Sequence, residues 1–221
     1  DNNIQWAKQL EQAGIHVVYG IIGFKTHTKI ALIVRKEKGR LRNYFHIGTG
    51  NYNSNTSKFY TDLGLLSTDP EIASDLLELF NYLSGFSKQK SYQKLLVSPS
   101  SMRKKFIFLI KREIKNAEEG KKAEIIAKMN SLVDPEIINL LYLASDSGVK
   151  ISLIVRGICC LYPQRKNLSE NIKVKSIIGH FLEHSRIFWF CNNGDNEVFI
   201  GSADWMRRNL DRRIEAVTPI E

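Results

Sequence analysis

Hydrophobic and polar positions change their period several times along the chain, which predicts alternating helices and strands. Apolar residues at helical spacing predict an opening helix that ends at Gly14. Runs rich in β-branched and aromatic residues predict strands at 15–19, 28–34 and 41–47. Asp69-Pro70 then provides a cap and a first-turn proline for a helix that carries apolar residues as far as Leu83.

The second half repeats this order of elements. Ser98-Pro99 leads into a long basic helix that ends near Gly120, and Asp134-Pro135 opens another helix. The predicted strands of this half are 94–97, 124–129, 150–155, 172–177, 186–190, 198–200 and 213–217. A polar stretch at 85–92 separates the halves, so we expect two domains, 1–88 and 89–221.

Alternating strands and helices indicate the α/β class. Because the halves share one order of elements, we expect two related units joined by a pseudo-twofold axis. Each unit should be a mixed, largely parallel sheet flanked by helices.

A short motif occurs once in each half. The first copy is His27-Thr28-Lys29, followed by Gly48-Thr49-Gly50-Asn51, and the second is His184-Ser185-Arg186, followed by Gly201-Ser202-Ala203-Asp204. Each copy contains an imidazole, a cation two residues later and a turn of small residues. Since residues i and i+2 of a strand share a face, the imidazole and the cation should be neighbours. Two facing copies would form one site for phosphoryl chemistry.

The net charge of +9 favours an anionic partner, which could be nucleic acid, a membrane surface or a phosphate-rich molecule. Hydrophobic content of 43% and charged content of 25% are ordinary for a globular protein. Three cysteines without paired spacing argue against a secreted disulfide framework and fit a reducing cytoplasm. No apolar run approaches the length of a membrane span.

The paired motifs resemble those of the phospholipase D superfamily. Longer strings resemble the C-terminal catalytic half of the bacterial polyphosphate kinases, namely 25–29, 46–53, 60–66, 155–159, 182–187, 201–206 and 208–213. The lipase-type motif has an aspartate seven residues after its histidine, but Val34 and Cys191 stand there in this chain. Arg186 replaces the usual lysine. These departures favour the kinase branch over phosphodiester hydrolysis.

The resemblance implies reversible transfer of the γ-phosphoryl of ATP to polyphosphate through a phosphohistidine. It makes His27 the phosphorylated residue, and imidazole suits this role because its ordinary pKa of roughly 6.5 leaves a neutral ring nitrogen near pH 7. We expect His184 to face it, where it would orient the phosphate or carry a proton. Alternatively, His184 is a structural residue bonded to Glu183 or to a backbone carbonyl.

Further residues are expected to bind ATP or phosphate, together with His184. The candidate cations are Lys29, Arg156, Arg186, Arg208 and Arg213. Arg156 is the strongest of them because it ends a predicted strand immediately before Gly157. The resemblance makes Tyr60 a nucleotide contact, with rim packing as the alternative. Asn51 and Asp204 would orient the histidines or simply serve the geometry of their turns.

The expected partners are ATP or ADP and inorganic polyphosphate, with Mg²⁺ as the cofactor. The resemblance places the magnesium ligands upstream of this chain, so we expect no metal site within it. Because the chain begins at Asp1 without a methionine, we interpret it as a piece of a longer polypeptide that synthesises polyphosphate weakly or not at all when isolated. We expect no nucleic-acid partner, a homo-oligomer at full length, and a cytoplasmic location with peripheral contact to the inner membrane as an alternative.

Other interpretations stay open. The chain could be a phospholipase D-type phosphodiesterase or a polyanion-binding module without catalysis. His180 and His184 imitate a helical zinc pair, although no third ligand has suitable spacing. The basic residues 103–105 and 111–112 could bind nucleic acid, guide a polyanion or form the solvated face of a helix.

Overall fold

The computed structural model describes residues 2–88 and 91–220. The α-helices in these ranges are α1 (Asn2–Gln12), α2 (Pro70–Leu83), α3 (Met102–Glu118), α4 (Pro135–Asp146) and α5 (Arg207–Asp211). The strands are β1 (Lys25–Thr26), β2 (Ile30–Glu37), β3 (Arg40–Gly48), β4 (Tyr60–Thr61), β5 (Gly64–Ser67), β6 (Leu96–Ser98), β7 (Glu124–Met129), β8 (Lys150–Val155), β9 (Ile172–Lys175), β10 (Leu182–Glu183), β11 (Arg186–Phe190), β12 (Glu197–Gly201) and β13 (Arg213–Ile220).

The strands form three sheets within the described residues. The largest has the order β1-β13-β12-β11-β7-β8-β9, and β6 also pairs with β13. A second sheet has the order β2-β3-β5, and β4 and β10 form a two-stranded parallel pair. The mixed α/β architecture is therefore confirmed.

Two details of the sequence interpretation are wrong. The sheets are not largely parallel, because short turns join β2 to β3 and β11 to β12 as antiparallel hairpins. Residues 15–19 are rich in β-branched and aromatic residues, like a strand, but form none in the structure. A strand needs a partner for its backbone hydrogen bonds, and no strand of the described chain pairs with this segment.

The helix starts follow from local chemistry. The Asp69 carboxylate accepts the backbone N–H of Ile72 at 2.8 Å and caps α2. Asp134 caps α4 in the same way, through the N–H of Ile137 at 3.1 Å. In both helices a proline occupies the first turn, where its missing N–H costs no helical hydrogen bond.

Two hydrophobic cores underlie the sheets. In the larger core, Phe106, Phe188 and Trp205 pack with ring centroids 4.7–5.6 Å apart. The smaller core joins residues from both halves of the chain, which are Phe45, Ile47, Ile72, Ala73, Leu76, Leu79, Leu95, Val97, Ile214 and Ala216. The two units are thus packed against each other through β6 and β13. The predicted domain boundary at 88/89 adjoins residues 89–90, which lie outside the described part of the chain.

Candidate active site

Both motif histidines lie where the chain passes from one sheet to another. The backbone N–H of His27 donates to Ile214 O at 2.8 Å, which continues the pairing of β1 with β13. Two residues later, Lys29 O accepts the N–H of Gly48 at 2.8 Å and begins the pairing of β2 with β3. His27 and Lys29 therefore occupy a junction rather than a strand, since β2 begins only at Ile30. His184 lies in the matching gap between β10 and β11.

His27 is held by a buried carboxylate. Its Nδ1 lies 2.8 Å from Oε2 of Glu215, which is fully buried on β13. The same Oε2 accepts the Ser202 hydroxyl at 2.5 Å, and Oε1 accepts Asn209 Nδ2 at 2.5 Å. Because an ionised carboxylate only accepts, the neutral ring of His27 carries its proton on Nδ1 and keeps its lone pair on Nε2.

His184 has an equivalent partner. Its Nδ1 lies 2.7 Å from Oδ1 of Asp62, which also accepts the Thr49 hydroxyl at 2.7 Å. Partial burial raises the pKa of Asp62, but the hydrogen bonds from His184 and Thr49 outweigh it and hold the pKa below its ordinary value. The ring of Tyr60 lies beside that of His184, with centroids 4.8 Å apart.

The two carboxylates are exchanged between the halves of the chain. Glu215 belongs to the second half and holds the histidine of the first, whereas Asp62 belongs to the first half and holds the histidine of the second. Sequence reasoning missed both residues, because it looked for an aspartate seven positions after each histidine. The available signal was that Asp62 lies within the string 60–66 and that Glu215 follows Arg213 by two residues.

The motif cations fold back over their own histidines. Lys29 Nζ donates to His27 O at 2.5 Å, and Arg186 Nη1 donates to His184 O at 2.7 Å. Arg186 Nη1 also lies 3.0 Å from Nε2 of His184, and Nε donates to Asp204 Oδ1 at 3.1 Å. Asp204 therefore orients the cation of its motif.

Asp62 joins the two copies of the motif, because its Oδ1 accepts both the Thr49 hydroxyl of the first copy and Nδ1–H of His184 in the second. Burial lowers the pKa of Lys29 to about 8, the negative charges of Glu215 and Asp62 oppose this shift, and Arg186 and Arg213 add to it. Lys29 thus lies close to charged groups from both halves. The pKa of Arg213 is also lowered, by burial and then by Arg208. Clustered cations with lowered pKa values form a site that favours anions.

The remaining candidates lie at different places around the site. Arg156 follows β8 and donates through Nε to Asn130 Oδ1 at 2.8 Å. Asn51 is exposed in its turn, where its carbonyl accepts the N–H of Asn53. His180 is exposed and contacts the ring of Phe181.

The basic residues of α3 are engaged in part by neighbouring acids. Arg103 pairs with Asp134, Asp211 and Glu136 at 2.7–2.9 Å. It therefore joins α3 to α4 and α5. Lys104, the next residue, is exposed.

The acidic side chains at the site do not fit a magnesium ion. Each of the three carboxylates is already engaged: Asp62 by His184 and Thr49, Glu215 by three donors, and Asp204 by Arg186 and a backbone N–H. The described residues contain no group of three or more His, Cys, Asp or Glu side chains that could hold a metal ion. No helix in the described ranges has the length and apolar character needed to cross a membrane.

Comparison with known protein families identifies both halves of the chain. Residues 1–89 match the family model of polyphosphate kinase C-terminal domain 1, and residues 95–221 match that of C-terminal domain 2. A polyphosphate kinase of Parasynechococcus marenigrum is 68% identical over 221 residues, covering 100% of this chain and 31% of that protein. The chain thus spans about a third of the length of the curated relatives it matches.

Solved structures extend the comparison to the fold. The crystal structure of polyphosphate kinase from Porphyromonas gingivalis matches with a TM-score of 0.92 and 41% identity, covering 99% of this chain and 34% of that one. A mutant of yeast tyrosyl-DNA phosphodiesterase, 11% identical, has a TM-score of 0.59 over 96% of this chain and 70% of its own, which shows a shared fold. The chain therefore belongs to the polyphosphate kinase family and carries its two C-terminal domains.

Proposed function

We propose that this chain is the catalytic part of an ATP:polyphosphate phosphotransferase, in which His27 carries the phosphoryl group between ATP and the end of a polyphosphate chain. The observation that carries the proposal is the hydrogen bond from His27 Nδ1 to the buried Glu215. It fixes the tautomer in which Nε2 is unprotonated and nucleophilic.

In the first step, the Nε2 lone pair of His27 forms a bond to the γ-phosphorus of ATP. The bond from that phosphorus to the bridging oxygen breaks, and its electrons leave with ADP. The imidazole becomes positively charged during this step, and the Glu215 carboxylate stabilises it through Nδ1–H. In the second step, a terminal oxygen of polyphosphate attacks the phosphorus and the ring of His27 is released, so the sequence is reversible.

The cations around the site would spread the charge of the transferring group. Lys29 and Arg186 are both buried and come from the two copies of the motif, so they could contact the phosphoryl oxygens from two sides. In the structure, Arg186 donates to Nε2 of His184, an interaction for which a phosphate oxygen would compete. His184 would then orient the phosphoryl group opposite His27.

Magnesium is not assigned to any residue of this chain in the proposal. When bound, it would supply charge neutralisation for the nucleotide phosphates, and the engaged carboxylates described above leave that role to parts of a longer protein. The phosphodiesterase alternative would use the same nucleophile and is separated from the kinase by its independence of ATP. A homo-oligomer and a cytoplasmic location stay predictions.

The test is phosphoryl transfer to the protein. Each variant would be made in this chain and in a full-length protein. Both would be incubated with ATP labelled at the γ-phosphate and analysed without acid. We expect label on the unmodified protein, none on His27→Ala, and normal labelling of His16→Ala, since His16 is exposed and belongs to neither motif. Equal labelling of His27→Ala would refute the proposed carrier. Cleavage of phosphodiesters without labelling by ATP would favour the phosphodiesterase.

A further inference from the structure

Three residues that follow parallel strands meet at one edge of the large sheet. Asn130 follows β7, Arg156 follows β8 and Ser176 follows β9. Arg156 Nε donates to Asn130 Oδ1 at 2.8 Å, and the Ser176 hydroxyl donates to Arg156 O at 3.3 Å. Ligands of α/β proteins bind beyond the carboxyl ends of parallel strands, so this edge is where a phosphate chain could approach Arg156.

Asn130 is a buried polar residue with several partners at the site. Its exposed fraction is 5%, and its backbone N–H donates to Asp204 Oδ1 at 2.8 Å. The same oxygen accepts Nε of Arg186. Asn130 Nδ2 also donates to His184 O at 3.5 Å. Asn130 therefore contacts the elements that carry Arg156, Arg186 and His184.

The backbone around Arg156 is held tightly against Asn130. The N–H of Arg156 donates to Met129 O at 3.2 Å, and the N–H of Gly157 donates to Asn130 O at 2.8 Å. A Cβ on Gly157 would lie 2.9 Å from that same carbonyl, which explains why a glycine suits this position. These bonds fix the backbone of Arg156, and the hydrogen bond from its Nε to Asn130 Oδ1 orients the side chain.

A neutral acceptor at Nε suits an arginine that must bind an anion. Guanidinium has five N–H donors, and a contact at Nε leaves the two terminal nitrogens free to form a fork with phosphate oxygens. Within the described residues, Arg156 forms no ion pair with a carboxylate. Asn130 therefore fixes the guanidinium without neutralising its charge.

We propose that Asn130 is a positioning residue that presents Arg156 to the phosphate chain of the substrate. This inference rests on the proposed function, because it assumes that the site binds linear phosphates. It predicts that the contact with Arg156, and not the longer contact of Nδ2 with His184 O, accounts for the contribution of the Asn130 side chain to phosphate binding. Its backbone contact with Asp204 is preserved in any substitution other than proline.

The test is a double-mutant cycle on the binding of tripolyphosphate, measured by calorimetry on the chain. Asn130→Ala should weaken binding about three- to tenfold, as expected when a hydrogen bond that orients a charged group is lost. Arg156→Ala should weaken binding more, and the double variant should bind like Arg156→Ala alone. In an Arg156→Lys background, which has no Nε–H at the same position, Asn130→Ala should change affinity less than twofold.

Asn171→Ala is the matched control. Its amide donates to Ser145 O at 2.8 Å at the opposite end of β9, so its loss should leave tripolyphosphate affinity unchanged. Equal weakening by Asn130→Ala with and without Arg156 would overturn the positioning role and indicate a structural one. Normal binding by Asn130→Ala would overturn it as well, while labelling of His27 by ATP would still support the proposed function.

Discussion

The hydrogen bond between His27 and Glu215 makes a quantitative prediction for Glu215→Gln. The substitution preserves the shape of a fully buried side chain but removes its charge. It also replaces one of the two carboxylate oxygens, which accept hydrogen bonds, with an NH₂ group, which donates them. The NH₂ group would face a donor in either orientation: Asn209 Nδ2 in one, and His27 Nδ1 with the Ser202 hydroxyl in the other. Hydrogen bonds to charged groups contribute about 1.5–3 kcal/mol, against about 0.5–1.5 kcal/mol for neutral ones.

The central values of these ranges differ by about 1–1.5 kcal/mol, which corresponds to roughly a tenfold change in the tautomer equilibrium. Long-range ¹H–¹⁵N spectra of the imidazole report this equilibrium directly. We expect a single Nδ1–H tautomer of His27 in the unmodified chain and a mixture in Glu215→Gln. Phosphorylation by phosphoramidate, a small donor that needs no nucleotide site, should slow by about tenfold, because a neutral amide stabilises the developing imidazolium by about 1–1.5 kcal/mol less than a carboxylate does.

Glu113→Gln supplies a matched control. Glu113 is also fully buried and accepts the backbone N–H groups of Glu124 and Asn192, far along the chain from either motif. Its substitution should lower the melting temperature without changing the His27 tautomer or the phosphorylation rate. An unchanged tautomer in Glu215→Gln, or an equal loss of rate in Glu113→Gln, would refute the role assigned to Glu215.

Two further predictions concern the surroundings of the histidines. Burial lowers the pKa of Lys29 from 10.5 to about 8. Between these pH values the unfolded chain binds more protons than the folded chain, so the free energy of unfolding should rise with pH by roughly 2 kcal/mol. The free energy of unfolding would be measured in urea at pH 7.5, 9 and 10. Its rise with pH should vanish in Lys29→Met and persist in Lys104→Met, the control at an exposed lysine. A rise retained in Lys29→Met would contradict the assignment of this pH dependence to Lys29. Gly50→Ala would drive a Cβ into the Asp62 carboxylate and should destabilise the chain by about 1–3 kcal/mol, whereas Gly179→Ala, with open space around it, should not. Equal melting temperatures for these two variants would show that the turn relaxes without cost.

The helices and the motif positions could be predicted because their signals are local. Asp69-Pro70 and Asp134-Pro135 specify a cap and a first turn within four residues, and the structure has both. The α/β class followed from the same kind of short-range pattern. Residues 15–19 show the limit of such signals, since they are rich in β-branched and aromatic residues and yet a strand forms only where a partner strand is present.

The carboxylates that hold the two histidines could not be predicted from local sequence patterns. Glu215 is 188 residues from the histidine that it holds, and Asp62 is 122 residues from its own. Pairings over such distances depend on how sheets pack, which the spacing of one sequence does not specify. Asn130 was missed for a related reason, because a lone asparagine after a strand is usually a turn residue.

The crossed carboxylates have a consequence for folding on the way to function. Under the proposed function, a polypeptide in which only the first half has folded would hold His27 without Glu215, so the nucleophile would not yet be oriented by its carboxylate. If the proposal holds, partly folded molecules would react only slowly with ATP. On this view, phosphoryl transfer would become possible only once both halves have folded and packed together.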